Sequence, residues 1–463
     1  MENSSLQESM LSEMKEQRIF TKAQEYAMQY LDTVFNRNVS PTDEALENLK
    51  HFDEDMPITT SNPSVAIDML HQYGSPATVA QLGGRYFGFV NGSAVPVGLA
   101  AKNLATYWDQ NPAMHVISPI ASTLEAIVEK WLIELFDFPK RTIAGFVSGT
   151  STANFCGLAA ARYRILKRQD WDINERGLFN APQIRIVTGK QAHSTILKAI
   201  SLLGFGKNTI EWVDVDNQGR IIPELLPELD NKTIVILQAG NVNTGSFDAF
   251  ETICEKANKA NAWVHIDGAF GLWAGAVKAL KHHTKGMEKA NSWAVDGHKT
   301  LNTPYDSGIV LCEDKEALVS ALHMSGSYLV IADRDGMFYT PEMSRRARII
   351  ELWAVLKYLG KSGIDEMIYG MHQRTQQFAT ELNTAGFEII NAIVFNQVMI
   401  YYKTDKLTQK IMEEVQKSGE CWAGGSVWEG KKTIRISVCS WATTPEDVTR
   451  SVAAFVKAKN KAN

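Results

Sequence analysis

Cysteines are few in this sequence, and none of them lies at the spacing of a metal-binding or redox motif. The five residues are odd in number, are irregularly spaced and include no CxxC pair. Neither a disulfide framework nor a zinc site is therefore predicted, and no metal ligand is assigned. A chain of this kind is expected in a reducing compartment such as the cytoplasm.

Long hydrophobic runs and a strong charge bias are also absent. No run approaches the roughly 18 apolar residues of a membrane span, and the first residues lack the basic start and apolar core of a secretory signal. A formal net charge of −5 over 463 residues argues against nucleic-acid binding. We therefore expect a cytoplasmic protein that binds neither membranes nor nucleic acid.

The middle of the chain contains short apolar strands that alternate with helices. The predicted strands cover 184–187, 210–215, 233–237 and 262–266, and predicted helices cover 194–203 and 250–260. This alternation predicts a largely parallel sheet with helices on both faces.

The two ends of the chain differ from the middle. Residues 1–50 have apolar residues at helical spacing and predict an amphipathic arm that packs on another element, such as a second subunit. Residues 325–343 have little periodicity, which is typical of mobile lid loops. The remainder predicts a smaller α+β domain, in which Arg435 is expected as a surface or ion-pair residue.

Polar and small residues follow directly after several predicted strands. They include residues 148–151, His193, Asp267 and the pair His298-Lys299. Because ligands bind at the carboxyl ends of parallel strands, these residues are expected to share one site. The small-residue loop before a helix predicted from Phe155 also exposes N–H groups suited to a phosphate, although on this stretch alone a simple N-cap is the favoured explanation.

Lys299 and Asp267 together indicate the chemistry of this site. A lysine in a tight loop can form an imine with an aldehyde, and an aspartate that ends a buried strand can keep a pyridine nitrogen protonated. Taken singly, each residue has a simpler explanation. Lys299 is explained as part of a surface turn, Asp267 as a turn or cap residue, and His193 as a helix cap or surface residue. His193 is also suited to stack on a flat cofactor and to donate a proton. The combination predicts a site for pyridoxal phosphate.

These residues together resemble the group II pyridoxal phosphate-dependent amino acid decarboxylases, the family that includes aromatic amino acid and glutamate decarboxylases. The likeness runs from about Ser61 to the end of the chain. The motifs that carry it are Phe87-Gly88-Phe89, Ser118-Pro119 with Glu125, Ser148-Gly149-Thr150-Ser151, His193-Ser194, Gly240, Asp267-Gly268-Ala269-Phe270, Asp296-Gly297-His298-Lys299, Ser344-Arg345-Arg346-Ala347-Arg348 and Arg435-Ile436-Ser437-Val438.

The resemblance implies an α/β, aspartate-aminotransferase-like fold (fold type I) with a mostly parallel central sheet. It divides the chain into a helical N-terminal arm at 1–100 that forms a homodimer, a large cofactor-binding domain at 101–342 and a smaller α+β domain at 343–463. In this family the active sites lie at the subunit interface.

The resemblance also implies a role for each residue around the cofactor ring. Lys299 forms an imine with the cofactor aldehyde, and Asp267 pairs with the ring nitrogen. His193 stacks on one face of the ring and Ala269 packs on the other.

The cofactor phosphate and the substrate have their own expected contacts. The cofactor is expected to touch a second group of residues near its phosphate, namely Gly149, Thr150, Ser151, Asp296 and His298. Phe87 and Phe89 are expected to line the substrate pocket, with a packed aromatic turn as an equal alternative.

The implied reaction is decarboxylation of an L-amino acid, in which loss of CO2 leaves a carbanion at Cα. The chain departs from the family near Gly336, where relatives carry a lid tyrosine, so Tyr339 is the nearest candidate proton donor. Gly297 stands where relatives usually carry proline. Loss of the lid tyrosine is associated within the family with oxidative formation of aldehydes.

Three alternatives to simple decarboxylation stay open. They are an aldehyde synthase that couples CO2 loss to oxidation by O2, a carbon–carbon lyase acting on a phosphorylated amine, and a catalytically silent homologue that acts as a binding protein. The retained Lys299, Asp267 and His193 argue against the last.

Overall fold

The computed structural model describes residues 5–322 and 334–463. Of the predicted lid loop at 325–343, residues 325–333 lie outside the described residues. The helices of the described ranges are α1 (Leu6–Glu16), α2 (Arg18–Val34), α3 (Asp43–Glu47), α4 (Pro63–Met69), α5 (Pro96–Trp108), α6 (Pro119–Leu135), α7 (Thr150–Lys167), α8 (Ile173–Arg176), α9 (Ser194–Leu202), α10 (Phe250–Lys259), α11 (Lys315–Leu322), α12 (Ile349–Thr384), α13 (Asp405–Ser418) and α14 (Pro445–Ala462).

A seven-stranded sheet forms the centre of the described chain. Its strands are β1 (Ile143–Val147), β2 (Arg185–Gly189), β3 (Ile210–Val213), β4 (Thr233–Gln238), β5 (Trp263–Asp267), β6 (Ser292–Asp296) and β7 (Gly308–Cys312). They follow the order β1-β7-β6-β5-β4-β2-β3, and β7 alone in this sheet runs antiparallel to its neighbours. The predicted mostly parallel sheet is confirmed.

Helices cover both faces of this sheet because its strands are apolar on both sides. In β4, Ile234 belongs to a core shared with α7 and α9, whereas Val235 belongs to a core shared with α6 and α12. In β5, Trp263 lies in the core on the α7 side. Since side chains alternate along a strand, His265 and Asp267 also face α7.

The helix α7 begins earlier than the sequence suggested. It starts at Thr150 rather than Phe155, with Gly149 as its N-cap residue. Thr150, Ser151 and Thr152, which were expected in a loop, therefore form the first turn of the helix, and Ser148 precedes it. That turn lies directly after β1, at the edge of the sheet where the other predicted site residues are found.

A second sheet follows in the C-terminal part. It contains β8 (Glu388–Ile389), β9 (Gln397–Tyr401), β10 (Gly424–Trp428) and β11 (Lys431–Ser437) in the antiparallel order β10-β11-β9-β8. The helices α13 and α14 pack on this sheet and on each other. The boundaries proposed for the three domains stay a prediction.

The N-terminal helices leave apolar surface uncovered. The helix α1 contains no buried residue, and exposed apolar side chains continue on α2 and α5; they include Leu6, Met10, Leu11, Met14, Met28, Leu104, Tyr107 and Trp108. Across the described ranges, no helix has the combination of length and apolar character needed to cross a membrane.

Candidate active site

The predicted site residues meet at the carboxyl edge of the large sheet. The strand β1 ends directly before Ser148, β5 ends at Asp267, and β6 ends at Asp296. Asp267 is paired in register with Gln238 on β4 and Ala294 on β6, which puts it in the middle of this edge.

Lys299 lies close to the carboxylate of Asp296. Its Nζ atom is 3.0 Å from Asp296 Oδ2, and its side chain is only 21% exposed. Burial acts to lower the pKa of Lys299, but the negative charges of Asp296 and Asp267 outweigh burial and raise that pKa above its ordinary value. In this arrangement the side chain is an ammonium ion, which must lose a proton before it can attack an aldehyde.

Asp296 also caps the start of α7. The Thr150 N–H donates to Asp296 Oδ1 at 2.7 Å, and the Thr150 hydroxyl donates to Asp296 Oδ2. A Cβ on Gly149 would lie 3.3 Å from His298 Cε1, so this turn packs closely on the site. The Asp296 carboxylate therefore occupies part of the helix start that was predicted to hold a phosphate, while Ser151 in the same turn is exposed.

His298 is held in one orientation beside this turn. Its Nδ1 accepts the Ser307 N–H at 3.0 Å, so the neutral ring carries its proton on Nε2, which lies 3.6 Å from Asp296 Oδ2. Burial lowers the pKa of His298, against the opposing charge of Asp296. The ring of Tyr305 stacks on it with a centroid distance of 4.3 Å.

Asp267 is a buried carboxylate with a raised pKa. It is 5% exposed, and burial is the largest cause of the shift, which the neighbouring His193 and Lys299 partly offset. The Ala269 N–H donates to Asp267 Oδ1 at 3.2 Å. Such a carboxylate is stabilised in its charged form by any further N–H donor that reaches it.

His193 is both a helix cap and a member of the site. The Thr195 N–H donates to His193 Nδ1 at 3.3 Å at the start of α9, so the neutral ring carries its proton on Nε2. Burial lowers the pKa of His193; Asp267 opposes this shift, while Lys299 and Arg435 add to it. His193 therefore caps α9 and also lies in the site, so the helix-cap and cofactor-stacking interpretations made from the sequence are compatible.

Arg435 was expected at the surface, and that expectation is wrong. Its side chain is half-buried, and burial lowers the pKa of the guanidinium. Its Nη1 donates to the Val242 carbonyl at 3.1 Å, and within the described ranges it forms no ion pair. The missed signal was its place in β11 between Ile434 and Ile436: these two face the C-terminal core, so Arg435 lies on the opposite face of the strand, where it reaches Val242.

Two predicted residues are not brought to this cluster. Phe87 is fully buried, and its ring packs edge-on against Phe378 in the C-terminal core, so it offers no surface to a substrate. Tyr339 is 2% exposed, and its ring lies under the Arg334 guanidinium at 3.8 Å. A proton-donor role for Tyr339 would require it to leave this packing.

Phe89, the second predicted substrate residue, differs from Phe87. It is 63% exposed, and it stacks on Trp422 at a centroid distance of 5.3 Å. It is therefore free to contact another molecule, whether a ligand or a second subunit.

The residues present fit pyridoxal phosphate. Asp267 is a buried acceptor that lacks a cationic hydrogen-bond donor of its own, and the amide nitrogen of Asn154 nearby is buried without a hydrogen-bond partner in the described part of the chain. A protonated pyridine ring supplies such a donor to Asp267, and an aldehyde supplies a partner for Lys299. A half-buried lysine and a buried carboxylate at the edge of a mostly parallel sheet are the features of a pyridoxal phosphate enzyme.

Comparison with known protein families also indicates a pyridoxal phosphate enzyme. The chain matches the model of the pyridoxal-dependent decarboxylase conserved domain over residues 84–403, and it belongs to that family. The predicted family and the predicted cofactor, pyridoxal phosphate, are thereby confirmed.

Relatives and solved structures show how far the likeness extends. The acidic amino acid decarboxylase GADL1 of Mus musculus is 26% identical over 333 residues, covering 67% of this chain but only 58% of that protein. The structure of Oryza sativa TDC with PLP and tryptamine has a TM-score of 0.88 at 20% identity, covering 97% of this chain and 98% of its own. Rhodiola rosea 4-hydroxyphenylacetaldehyde synthase has a TM-score of 0.83 at 21% identity and 99% coverage of both chains. These structures confirm the predicted α/β fold.

The assignment of Lys299 is tested by absorbance. Protein loaded with pyridoxal phosphate should be yellow, and Lys299→Ala should lose the imine band because its amine is gone. The matched control is Lys190→Ala, which removes a lysine whose side chain is 55% exposed and should keep the band. An unchanged spectrum in Lys299→Ala contradicts the assignment.

Proposed function

We propose that this protein is a pyridoxal phosphate-dependent carboxy-lyase that removes the α-carboxylate of an L-amino acid as CO2. The observation that carries the proposal is the placement of the Lys299 amine and the buried Asp267 carboxylate in one electrostatic cluster at the sheet edge. When bound, pyridoxal phosphate supplies an aldehyde that condenses with amines and a ring that takes up the electron pair left by CO2.

Asp267 has the task of holding a proton on the ring nitrogen. A carboxylate that is buried keeps its charge most easily when a cation faces it, so it favours the protonated form of any pyridine placed against it. Lys299 supplies the amine that anchors the aldehyde, and its proton passes to a neighbouring base when the amine reacts. Asp296, at 3.0 Å, is the base nearest to Lys299 in the described site.

His193 and Ala269 are proposed to enclose the ring from its two faces. A neutral imidazole suits stacking on a cationic ring, since it adds no like charge to the site. The Ala269 N–H and carbonyl tie the strand ends together, because they bond to Asp267 and to the Asp296 N–H respectively.

The phosphate is proposed to lie between α7 and His298. Ser151 is exposed in the first turn of α7, where N–H groups attract anions, and His298 Nε2–H is directed toward the same region. Gly149 allows close approach, and Thr150 holds the Asp296 carboxylate at the helix start by its N–H.

Arg435 is proposed to attract the carboxylate of the substrate. It is a half-buried cation without an ion-pair partner in the described ranges, and its charge reaches His193. A carboxylate held at Arg435 would lie on the His193 side of the site. We propose no particular side chain for the amino acid substrate, because Phe87, which was predicted to line the substrate pocket, is buried in the C-terminal core.

The cytoplasm is proposed as the location of the protein. All five cysteines are free and buried, which suits a reducing environment.

The role of Asp267 is tested by Asp267→Asn. Turnover should fall on the order of a thousandfold, because the ring proton loses its carboxylate partner, while the imine band formed with Lys299 should remain. Asp248→Asn is the matched control: Asp248 is a buried carboxylate held by the N–H groups of Gln238 and Ile221, and burial raises its pKa to about 6. Near-normal turnover in Asp267→Asn removes its proposed role.

The reaction type is tested by product analysis on a panel of L-amino acids. We expect CO2 and an equal amount of amine, without H2O2. The structure of Rhodiola rosea 4-hydroxyphenylacetaldehyde synthase has the same fold, so aldehyde and H2O2 in amounts equal to CO2 would favour the oxidative alternative. Aldehyde without CO2 would favour a carbon–carbon lyase.

The variant Tyr339→Phe should leave the ratio of amine to aldehyde product unchanged, because Tyr339 is buried.

A homodimer formed through the N-terminal arm is the proposed assembly. The exposed apolar face of α1 is unsuited to water and is typical of an interface. Light scattering should give about twice the chain mass of 51.5 kDa. The double variant Met10→Glu with Met14→Glu should shift the protein to monomer, whereas Val427→Glu, at another exposed apolar position, should not. A monomeric wild type contradicts the proposal.

A further inference from the structure

A second group of polar side chains lies behind Asp267, inside the sheet. Trp263, His265 and Asp267 alternate along β5 and share the face that is covered by α7. His265 is fully buried. Gly157 on α7 leaves room for it, since a Cβ at Gly157 would lie 2.6 Å from His265 Cε1. A buried histidine at this position is therefore accommodated by the helix that packs on it.

Hydrogen bonds connect this group into one line. The Trp263 indole N–H donates to Ser292 Oγ at 3.0 Å, and Ser292 Oγ lies 2.8 Å from His265 Nδ1. His265 Nε2 lies 2.9 Å from Asn154 Oδ1 on α7. Ser292 is the register partner of His265 across β5 and β6, so the sheet itself brings these two side chains together.

The direction of the line is fixed at its Asn154 end. The Asn154 carbonyl oxygen can only accept a hydrogen bond, so His265 Nε2 carries a proton and donates it to Asn154 Oδ1. Burial lowers the pKa of His265 to about 3, so the ring is neutral and has one donor and one acceptor nitrogen. With Nε2 donating, Nδ1 accepts the Ser292 hydroxyl proton, and Ser292 Oγ in turn accepts the Trp263 indole N–H.

The surroundings of Asn154 favour this orientation of its amide. With Asn154 Oδ1 facing His265, the Asn154 amide nitrogen is turned away from the imidazole; it is buried and has no hydrogen-bond partner in the described part of the chain. The Asn154 side chain acts to lower the pKa of Asp267, which lies on the same side of β5, but it forms no hydrogen bond to that carboxylate in the described structure. The opposite orientation of the amide would set its oxygen against the carboxylate, which is repulsive.

We propose that Trp263, Ser292, His265 and Asn154 form a one-directional hydrogen-bonded chain that presents the Asn154 N–H to Asp267, so that the carboxylate stays charged and aimed at the cofactor ring. These four are positioning residues, and the inference rests on the proposed role of Asp267. The need for them follows from burial, because the Ala269 N–H is the one backbone donor that Asp267 otherwise has in the described structure. Chains of this kind orient a reactive group through residues that never touch the ligand.

Two variants test the chain in the cofactor-loaded protein. Ser292→Ala removes the donor to His265 at a distance of two side chains from Asp267, and Asn154→Asp keeps the shape of the side chain while replacing the N–H donor by a carboxylate oxygen. We expect the dissociation constant for pyridoxal phosphate, measured by absorbance, to rise about tenfold in Ser292→Ala and further in Asn154→Asp. Ser451→Ala is the matched control, because it removes an equally buried serine hydroxyl in α14 and should bind as the wild type does.

The protonation of His265 gives a readout independent of activity. In protein labelled with 15N-histidine, long-range 1H–15N correlation should place the His265 proton on Nε2 at neutral pH. A proton on Nδ1 in the wild type overturns the proposal, and so does wild-type cofactor affinity in Asn154→Asp, whose isosteric side chain preserves the packing. A wild type that forms no coloured complex with pyridoxal phosphate contradicts the proposed function instead, while the position of the His265 proton still decides on the chain.

Discussion

The charge on Asp267 is the constraint on which the rest of this site depends. A carboxylate that is 5% exposed has lost most of its hydration, and burial accordingly raises its pKa. The surroundings oppose that cost with the nearby charge of Lys299, the Ala269 N–H and the Asn154 amide. Because so little of Asp267 is exposed, solvent water contributes little to this task.

The second carboxylate, Asp296, ties the lysine loop to the start of α7. It accepts both the N–H and the hydroxyl of Thr150 and pairs with Lys299 at 3.0 Å. The close fit of this corner requires glycine: a Cβ on Gly308 would lie 2.3 Å from Gly149 Cα, so β7 passes the helix start only without a side chain. The antiparallel strand therefore supports the site although it carries none of its reactive groups.

Periodicity located the strands well, because buried parallel strands are short apolar runs, and β4 and β5 were placed to within a residue or two. The polar residues that follow such runs were correctly expected at one edge. Contacts that depend on distant parts of the chain were not foreseen. Asp296 caps a helix that begins at Thr150, and Tyr339 and Phe87 are held by Arg334 and Phe378, which no local pattern reports.

A structure of the protein with pyridoxal phosphate bound tests the central claim most directly. The account predicts a covalent link from Lys299 Nζ to the aldehyde carbon, and a ring nitrogen at a charge-assisted hydrogen-bond distance of about 2.7–2.9 Å from the Asp267 carboxylate. A cofactor linked to another lysine, or a ring nitrogen that faces a group other than Asp267, would contradict it.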